Sequence, residues 1–213
     1  MLTEVLTDTE FLRAAAMVLR NYAANYAGMG GIGDPNAPGG EGDEIHAGEH
    51  VSLSFLGLPA AEILDRLAQE GTTACFFLTA EQLRTSPDTV RRLICEGHRV
   101  GAYCETDLAA EYAAFSELLF EAARACTELV TAAADYEEVC REQAAQQGLV
   151  YCGFALSTIG SSNAFAITSQ LENSSGGTSL CMECSAESLP MLTVLLGYLR
   201  SGKFDVSAPR ETD

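Results

Sequence analysis

The chain has 213 residues, and 47% of them are hydrophobic, so it is long enough and apolar enough to bury the core of one sizeable domain. Its 30 acidic and 12 basic residues give a net charge of −18. This charge argues against nucleic acids and anionic membranes as partners, because both require a basic face, whereas cationic partners stay compatible. No apolar run is long enough to cross a bilayer.

The amino-terminal region predicts a helix followed by a linker. A capping box at Thr7–Glu10 and an apolar stripe indicate a helix over residues 8–27, so we assign 1–27 as an N-terminal helical segment. Residues 28–50 are rich in Gly, Pro and acids and predict a linker. The linker contains a GxGxxG spacing at 28–33 and the pair His46 and His50, but neither lies in the strand and helix context that its chemistry needs.

The start of the sequence bears on the compartment. Met1 is followed by Glu4, Asp8 and Glu10, where a secretory signal would carry basic residues. Taken alone, the chain therefore predicts a cytoplasmic protein, and a piece of an exported protein is the alternative.

From residue 51 onwards, strand patterns alternate with helix patterns. This alternation predicts an α/β domain over 51–213 with a parallel sheet, open or closed into a barrel. The predicted strands are 51–55, 73–78, 98–103, 128–131, 149–156, 178–183 and 204–207. The predicted helices are 60–69, a helix that begins with Ser86, Pro87 and Asp88 and ends at Gly97, 110–126, 135–147, 163–171 and 186–201.

Eight cysteines are scattered through this domain, mostly among apolar neighbours. They predict buried thiols in a reducing setting. Cys181 and Cys184 form a CxxC, but it falls in a predicted strand and no second CxxC completes a zinc site. We therefore expect no metal site from the cysteines.

Four segments in the first half of the domain can be compared with polysaccharide deacetylases of carbohydrate esterase family 4, which the chain resembles. Residues 74–77 read ACFF where the family has ATFF, and residues 86–92 read SPDTVRR where it has NPxLVRR. Residues 96–101 read EGHRVG where it has EGHEIG, and residues 54–59 read SFLGLP where it has TFDDGP. The resemblance extends from 51 to about 207 and implies a deformed (β/α) TIM-like barrel with a groove at the carboxyl ends of its strands.

The family removes N-acetyl groups from chitin-like or peptidoglycan sugars, with a divalent metal held by one Asp and two His. A second Asp is the general base, and a late His acts as the acid. In this chain the base position is Leu56 and the metal Asp position is Gly57. The two His positions are Tyr103 and Asp107, the Arg-Pro-Pro-Tyr stretch begins at Thr131, and the acid position is Glu183. His98 survives at a non-ligand position, where we expect a core role.

These replacements predict that no catalytic residue and no metal site of the family kind is present. A hydrolytic metal needs about three protein ligands and an open position, and an aliphatic side chain cannot act as a base. We therefore expect a degenerate deacetylase-like protein without a cofactor that binds a glycan or a protein partner, with candidate binding residues Tyr103, Glu105, Asp107, Asp135 and Glu183.

Two alternatives stay open. In one, the same carboxylates form a rebuilt site and the chain is a divergent hydrolase of sugar N-acetyl bonds, a class of non-peptide carbon–nitrogen bonds. In the other, the chain has a structural or assembly role in which the helix 8–27 docks onto a partner. By resemblance the compartment would be the cell envelope or the exterior, rather than the cytoplasm.

Overall fold

A computed structural model describes residues 49–159, 164–174, 177–185 and 188–209. The predicted N-terminal helix and all of the linker except its last two residues lie outside this part of the chain. The strands are β1 (His50–Leu56), β2 (Cys75–Leu78), β3 (Arg99–Cys104), β4 (Leu129–Ala132), β5 (Val150–Tyr151), β6 (Leu156–Ser157), β7 (Thr178–Glu183) and β8 (Asp205–Ser207). The helices are α1 (Ala61–Glu70), α2 (Ala80–Thr85), α3 (Pro87–Cys95), α4 (Leu108–Ala123), α5 (Glu137–Gln147), α6 (Ala164–Asn173) and α7 (Ser188–Ser201), and a 3₁₀ turn at Ala134–Tyr136 precedes α5.

Every strand pair in the described residues is parallel, and the sheet has the order β5-β4-β3-β2-β1-β7-β6. The first half of β1 pairs with β8, and its second half pairs with β2. One edge of β1 is paired with β7 along nearly its whole length. The strands β8 and β2 must therefore share the other edge of β1. The result is a curled, incompletely closed sheet with helices between its strands, which is the deformed (β/α) barrel expected from the sequence.

The two faces of the sheet carry different side chains. Val51, Leu53 and Phe55 of β1 join the main core, which packs the outer face of the sheet against the helices. The inner face carries a smaller apolar cluster that includes Phe77 and Leu129. Because side chains alternate along a strand, the sequence FF at 76–77 places one ring in each cluster.

One predicted strand is wrong. Residues 149–156 do not form one strand but two short ones, β5 beside β4 and β6 beside β7. Between them, the side-chain oxygen of Ser179 accepts a hydrogen bond from the amide of Ala155 (2.8 Å) and donates one to the carbonyl of Gly153 (3.1 Å). A side chain thus replaces the neighbouring strand as the partner of these backbone groups, and the barrel stays open here.

Helix α2 was missed in the sequence, although its start carries a capping box. The Thr79 side chain accepts from the amide of Gln82 (3.2 Å), and the Gln82 side chain accepts from the amide of Thr79 (3.0 Å). In α3, Pro87 occupies the first turn and Gly97 has a positive φ of 83°, as predicted. Ser86, however, makes no side-chain capping hydrogen bond.

The cysteine prediction is partly wrong. Cys75, Cys104, Cys140 and Cys181 are buried free thiols, but Cys95 and Cys126 are exposed. Burial raises the pKa of Cys181 to about 12, and burial, with the charges of Cys181 and Glu183, also raises the pKa of Cys184. Both thiols of the CxxC are therefore poor nucleophiles near neutral pH.

Candidate functional site

The candidate residues lie along the carboxyl ends of the strands, where the sequence analysis placed them. Leu56 ends β1 and pairs in register with Glu183, which ends β7. Tyr103 of β3 pairs with Thr131 of β4. These positions share one edge of the sheet because all four strands run in the same direction.

The first strand ends in an apolar environment. Leu56 is half-buried and packs against the inner cluster, which includes Phe77. Its carbonyl accepts from the amide of Cys184 (2.9 Å), so the neighbouring strand fixes its backbone. This side chain can exclude water from the edge of the sheet, but it cannot accept a proton.

Gly57 makes the turn that follows. Its φ is +94°, a conformation that residues with a Cβ rarely adopt. Its amide donates to the carbonyl of Phe77 (3.0 Å), and a Cβ built at this position would lie 3.6 Å from Gln82 Nε2. Sequence reasoning missed Gln82 as a neighbour of this position, although the capping box around it could have indicated α2.

Tyr103 is half-buried at the end of β3. Burial raises the pKa of its phenol, and the charges of Glu105 and Cys181 raise it further. A phenol that resists ionisation is a poor metal ligand. Its ring remains suitable for contact with an apolar face of a ligand.

Asp107 and Glu105 lie in the loop between β3 and α4. Asp107 is the N-cap of α4, and its carboxylate accepts from the amide of Ala110 (3.2 Å). Glu105 is exposed, and its amide donates to the carboxylate of Glu111 (2.6 Å). The structure therefore gives Asp107 a capping role at this helix start.

Glu111 is a further residue that the sequence analysis missed. Its carboxylate accepts hydrogen bonds from the amides of Glu105, Thr106 and Asp107 and from the Thr106 hydroxyl. Burial raises the pKa of this carboxyl, but these hydrogen bonds outweigh burial and lower it overall. The loop that offers metal ligands in the family is thus folded around the partly exposed carboxylate of Glu111.

Thr131, Asp135 and Glu183 do not complete a site. Thr131 is buried, and its hydroxyl donates to the carbonyl of Cys152 (2.9 Å). Asp135 and Glu183 are exposed. His98 is buried, its Nδ1 accepts from the amide of Ala74 (3.2 Å), and its ring makes a T-shaped contact with Phe76, which agrees with a core role.

The divalent metal of the deacetylases does not fit the residues at this edge. Gly57 offers no side chain, Tyr103 is a protonated phenol, and Asp107 caps a helix. Within residues 49–209 as far as they are described, no three His, Cys, Asp or Glu side chains are grouped so that they could hold a metal ion.

Comparison with solved structures identifies the fold. The polysaccharide deacetylase Bc1974 from Bacillus cereus superposes with a TM-score of 0.66 at 19% identity, over 78% of this chain and 94% of the other. The chain has the polysaccharide deacetylase fold. A family 4 carbohydrate esterase from Streptomyces lividans gives the same TM-score of 0.66 at 17% identity, over 78% of this chain and 95% of the other.

A third structure with this deacetylase fold is a mutant of BA3943, a family 4 pseudoenzyme with restored enzymatic activity. It matches with a TM-score of 0.66 at 12% identity, over 76% of this chain and 66% of the other. No family model and no curated protein matches the sequence. The fold expected from the sequence resemblance is confirmed. None of the helices in the described residues is long and apolar enough to span a bilayer.

The hydrogen-bonded carboxylate of Glu111 predicts a pH dependence of the free energy of unfolding. Because the pKa of Glu111 is lowered by folding, its contribution to stability is present above the unfolded pKa and is lost as the pH falls through the folded value. We expect Glu111→Gln to lower the free energy of unfolding by about 1 kcal/mol at neutral pH. The difference from wild type should shrink towards zero below about pH 4.

Urea unfolding of both proteins at several pH values measures this difference. Glu117→Gln is the matched control, because Glu117 is exposed on the same helix and should show almost no difference at any pH. A Glu111→Gln difference that is independent of pH would contradict a role for the carboxylate charge.

Proposed function

We propose that the chain is a catalytically inactive protein of the deacetylase fold that binds carbohydrate of the chitin or peptidoglycan type at the carboxyl ends of its strands. The observation that carries the proposal is the end of β1, where the base and metal positions of the family are a packed leucine and a glycine with a φ of +94°. Neither residue can accept a proton or bind a cation through its side chain.

The fold supports the carbohydrate part of the proposal. Structures that share it include a peptidoglycan N-acetylglucosamine deacetylase and mutants of a family 4 pseudoenzyme. In the present chain, the half-buried ring of Tyr103 offers an apolar surface near exposed Glu105, and exposed Glu183 ends β7 on the same side of the sheet. This combination suits a sugar with a partly cationic character. A protein partner remains the alternative occupant of this edge.

The test combines acetate release with binding. N-acetylglucosamine oligomers and peptidoglycan fragments are incubated with the protein and Zn²⁺, Co²⁺, Mn²⁺ or a chelator, and acetate is measured. We expect no release above the chelator background. Release that depends on metal and is lost in Asp107→Ser, which keeps a helix cap but removes the carboxylate, or in Glu183→Ala, would favour the divergent hydrolase instead.

Binding is measured on the same oligosaccharides by ligand-observed NMR. We expect Tyr103→Leu to weaken binding by about tenfold, because an aromatic ring stacks on sugar better than an aliphatic side chain. Val139→Ala, an exposed change on α5, is the control and should leave binding unchanged. A folded protein that binds neither oligosaccharide class would refute the carbohydrate proposal and favour a protein partner.

A further inference from the structure

A second feature lies inside the curled sheet, away from the carboxyl ends of its strands. It is a half-open cavity of about 560 Å³, within the range of small-molecule sites. Its wall includes His50, Ser52, Ser54, Tyr151, Phe154 and Asp205. Leu56, Tyr103 and Glu183 of the candidate site do not line it.

The alternation of β1 explains why this cavity is polar. Val51, Leu53 and Phe55 face the main core, so His50, Ser52 and Ser54 face the interior of the barrel. Thr178 and Ser179 at the start of β7 also line the cavity. The opening between β5 and β6 leaves the interior unfilled, because no continuous strand crosses there.

Ser54 marks the cavity as a site rather than a packing defect. The residue is only 1% exposed, and its hydroxyl has no hydrogen-bond partner among the described residues. A buried hydroxyl without a partner costs about 1–3 kcal/mol in desolvation. A ligand with a hydroxyl or amine group in the cavity would remove this cost.

The charges of the wall select the ligand. Asp205 is a carboxylate, and none of the described residues that line the cavity is a Lys or an Arg. The guanidinium of Arg141 lies over the ring of Tyr151, 5.1 Å from its centroid, but it is paired with Glu137 at 2.6 Å. His50 Nε2 is engaged with the hydroxyl of Ser207 (2.8 Å). Together with the net charge of −18, this wall favours a cation over an anion.

The aromatic side chains add an apolar wall. Tyr151 and Phe154 both line the cavity, and Phe154 is held edge-on by Phe77, with ring centroids 5.8 Å apart. Serine hydroxyls beside such rings suit a compact molecule that has polar groups along its edge and a small apolar face.

We propose that this cavity binds a small hydroxylated amine, with Ser54 hydrogen-bonded to one of its polar groups and Asp205 beside its ammonium group. The proposal does not depend on the function proposed for the carboxyl-end site, because the two sites share none of the residues that carry either argument.

The test uses three probes of similar size on the full chain. Glucosamine is the cation, glucose is the neutral analogue and gluconate is the anion, and each is titrated by calorimetry. We expect glucosamine to bind most tightly and gluconate most weakly. Gluconate binding at least as tight as that of glucosamine, or no binding of any probe, overturns the proposal.

Two substitutions locate the site. Ser54→Ala should weaken glucosamine binding by about tenfold, and Asp205→Asn by about threefold because Asp205 is exposed at the rim. Asp88→Asn on α3 is the control and should bind like wild type, since Asp88 is paired with Arg91 away from the cavity. If neither cavity substitution changes glucosamine binding, the ligand binds elsewhere and the proposal is overturned.

The stability of Ser54→Ala without ligand independently tests whether the Ser54 hydroxyl lacks a hydrogen-bond partner. If the hydroxyl lacks a partner in the free protein, its removal should leave the midpoint of urea unfolding unchanged or raise it. A clear loss of stability would show that the hydroxyl is already bonded within the chain, and the proposal would then fail even if a probe bound.

Discussion

Phe76→Ala is expected to lower the free energy of unfolding by about 3–5 kcal/mol, a large share of the about 5–15 kcal/mol that stabilises a typical domain. The Phe76 ring is fully buried and stacks on Phe55, with centroids 4.9 Å apart and planes 10° apart. It also makes a T-shaped contact with the ring of His98, with centroids 5.3 Å apart. Removal of the ring leaves a cavity between the sheet and its helices that stacked neighbours cannot easily fill.

The measurement is urea unfolding followed by circular dichroism, with the m-value as a check that the folded state stays intact. Phe120→Ala is the matched control, because this ring is 49% exposed and contacts the guanidinium of Arg124. We expect the control to cost less than about 1 kcal/mol. Equal losses for the two phenylalanines would contradict the assignment of Phe76 to the core.

Gly101→Ala is expected to destabilise the chain by about 1–3 kcal/mol through overpacking. A Cβ at Gly101 would lie 2.5 Å from Phe77 Cε1 and 3.1 Å from the carbonyl oxygen of Leu129. Phe77 is fully buried and held by Phe154, so its ring has little room to move. Gly101, the last residue of the EGHRVG segment, therefore leaves room for the ring of Phe77.

Gly197→Ala in α7 is the contrasting substitution. A Cβ there meets nothing within 4 Å, and the residue lies inside a helix, where alanine is favoured by about 0.5–1 kcal/mol. Thermal unfolding of the two variants should therefore shift in opposite directions. A Gly101→Ala protein as stable as wild type would show that the inner cluster is looser than the structure indicates.

Much of the fold follows from short sequence patterns. The ACFF and EGHRVG segments predicted β2 and β3, and Pro87 and Gly97 marked α3, the second of the two helices between them. These predictions succeeded because strand alternation and helix-end preferences act over a few residues. The carboxyl-end position of Leu56 and Glu183 followed in turn from the parallel order of the strands.

Other features depend on contacts between distant parts of the chain. The break between β5 and β6 arises where Ser179 bonds to Gly153 and Ala155, which a local pattern of apolar residues in 149–156 does not reveal. The role of Glu111 depends on the way the loop before α4 turns its amides inward. The lack of a hydrogen-bond partner for the Ser54 hydroxyl likewise depends on the strands that surround it, so the local sequence does not predict it.

The pairing of β1 also has a consequence for how the chain reaches its folded state. One edge of β1 is covered early by β2, but the other edge must wait for β7, near the end of the chain. Contacts between such distant segments slow folding, because a long loop must close before they form. During synthesis on the ribosome, a nascent chain without β7 would expose the apolar strand Val51–Phe55 along an unpaired edge, a condition in which chaperones are expected to engage it.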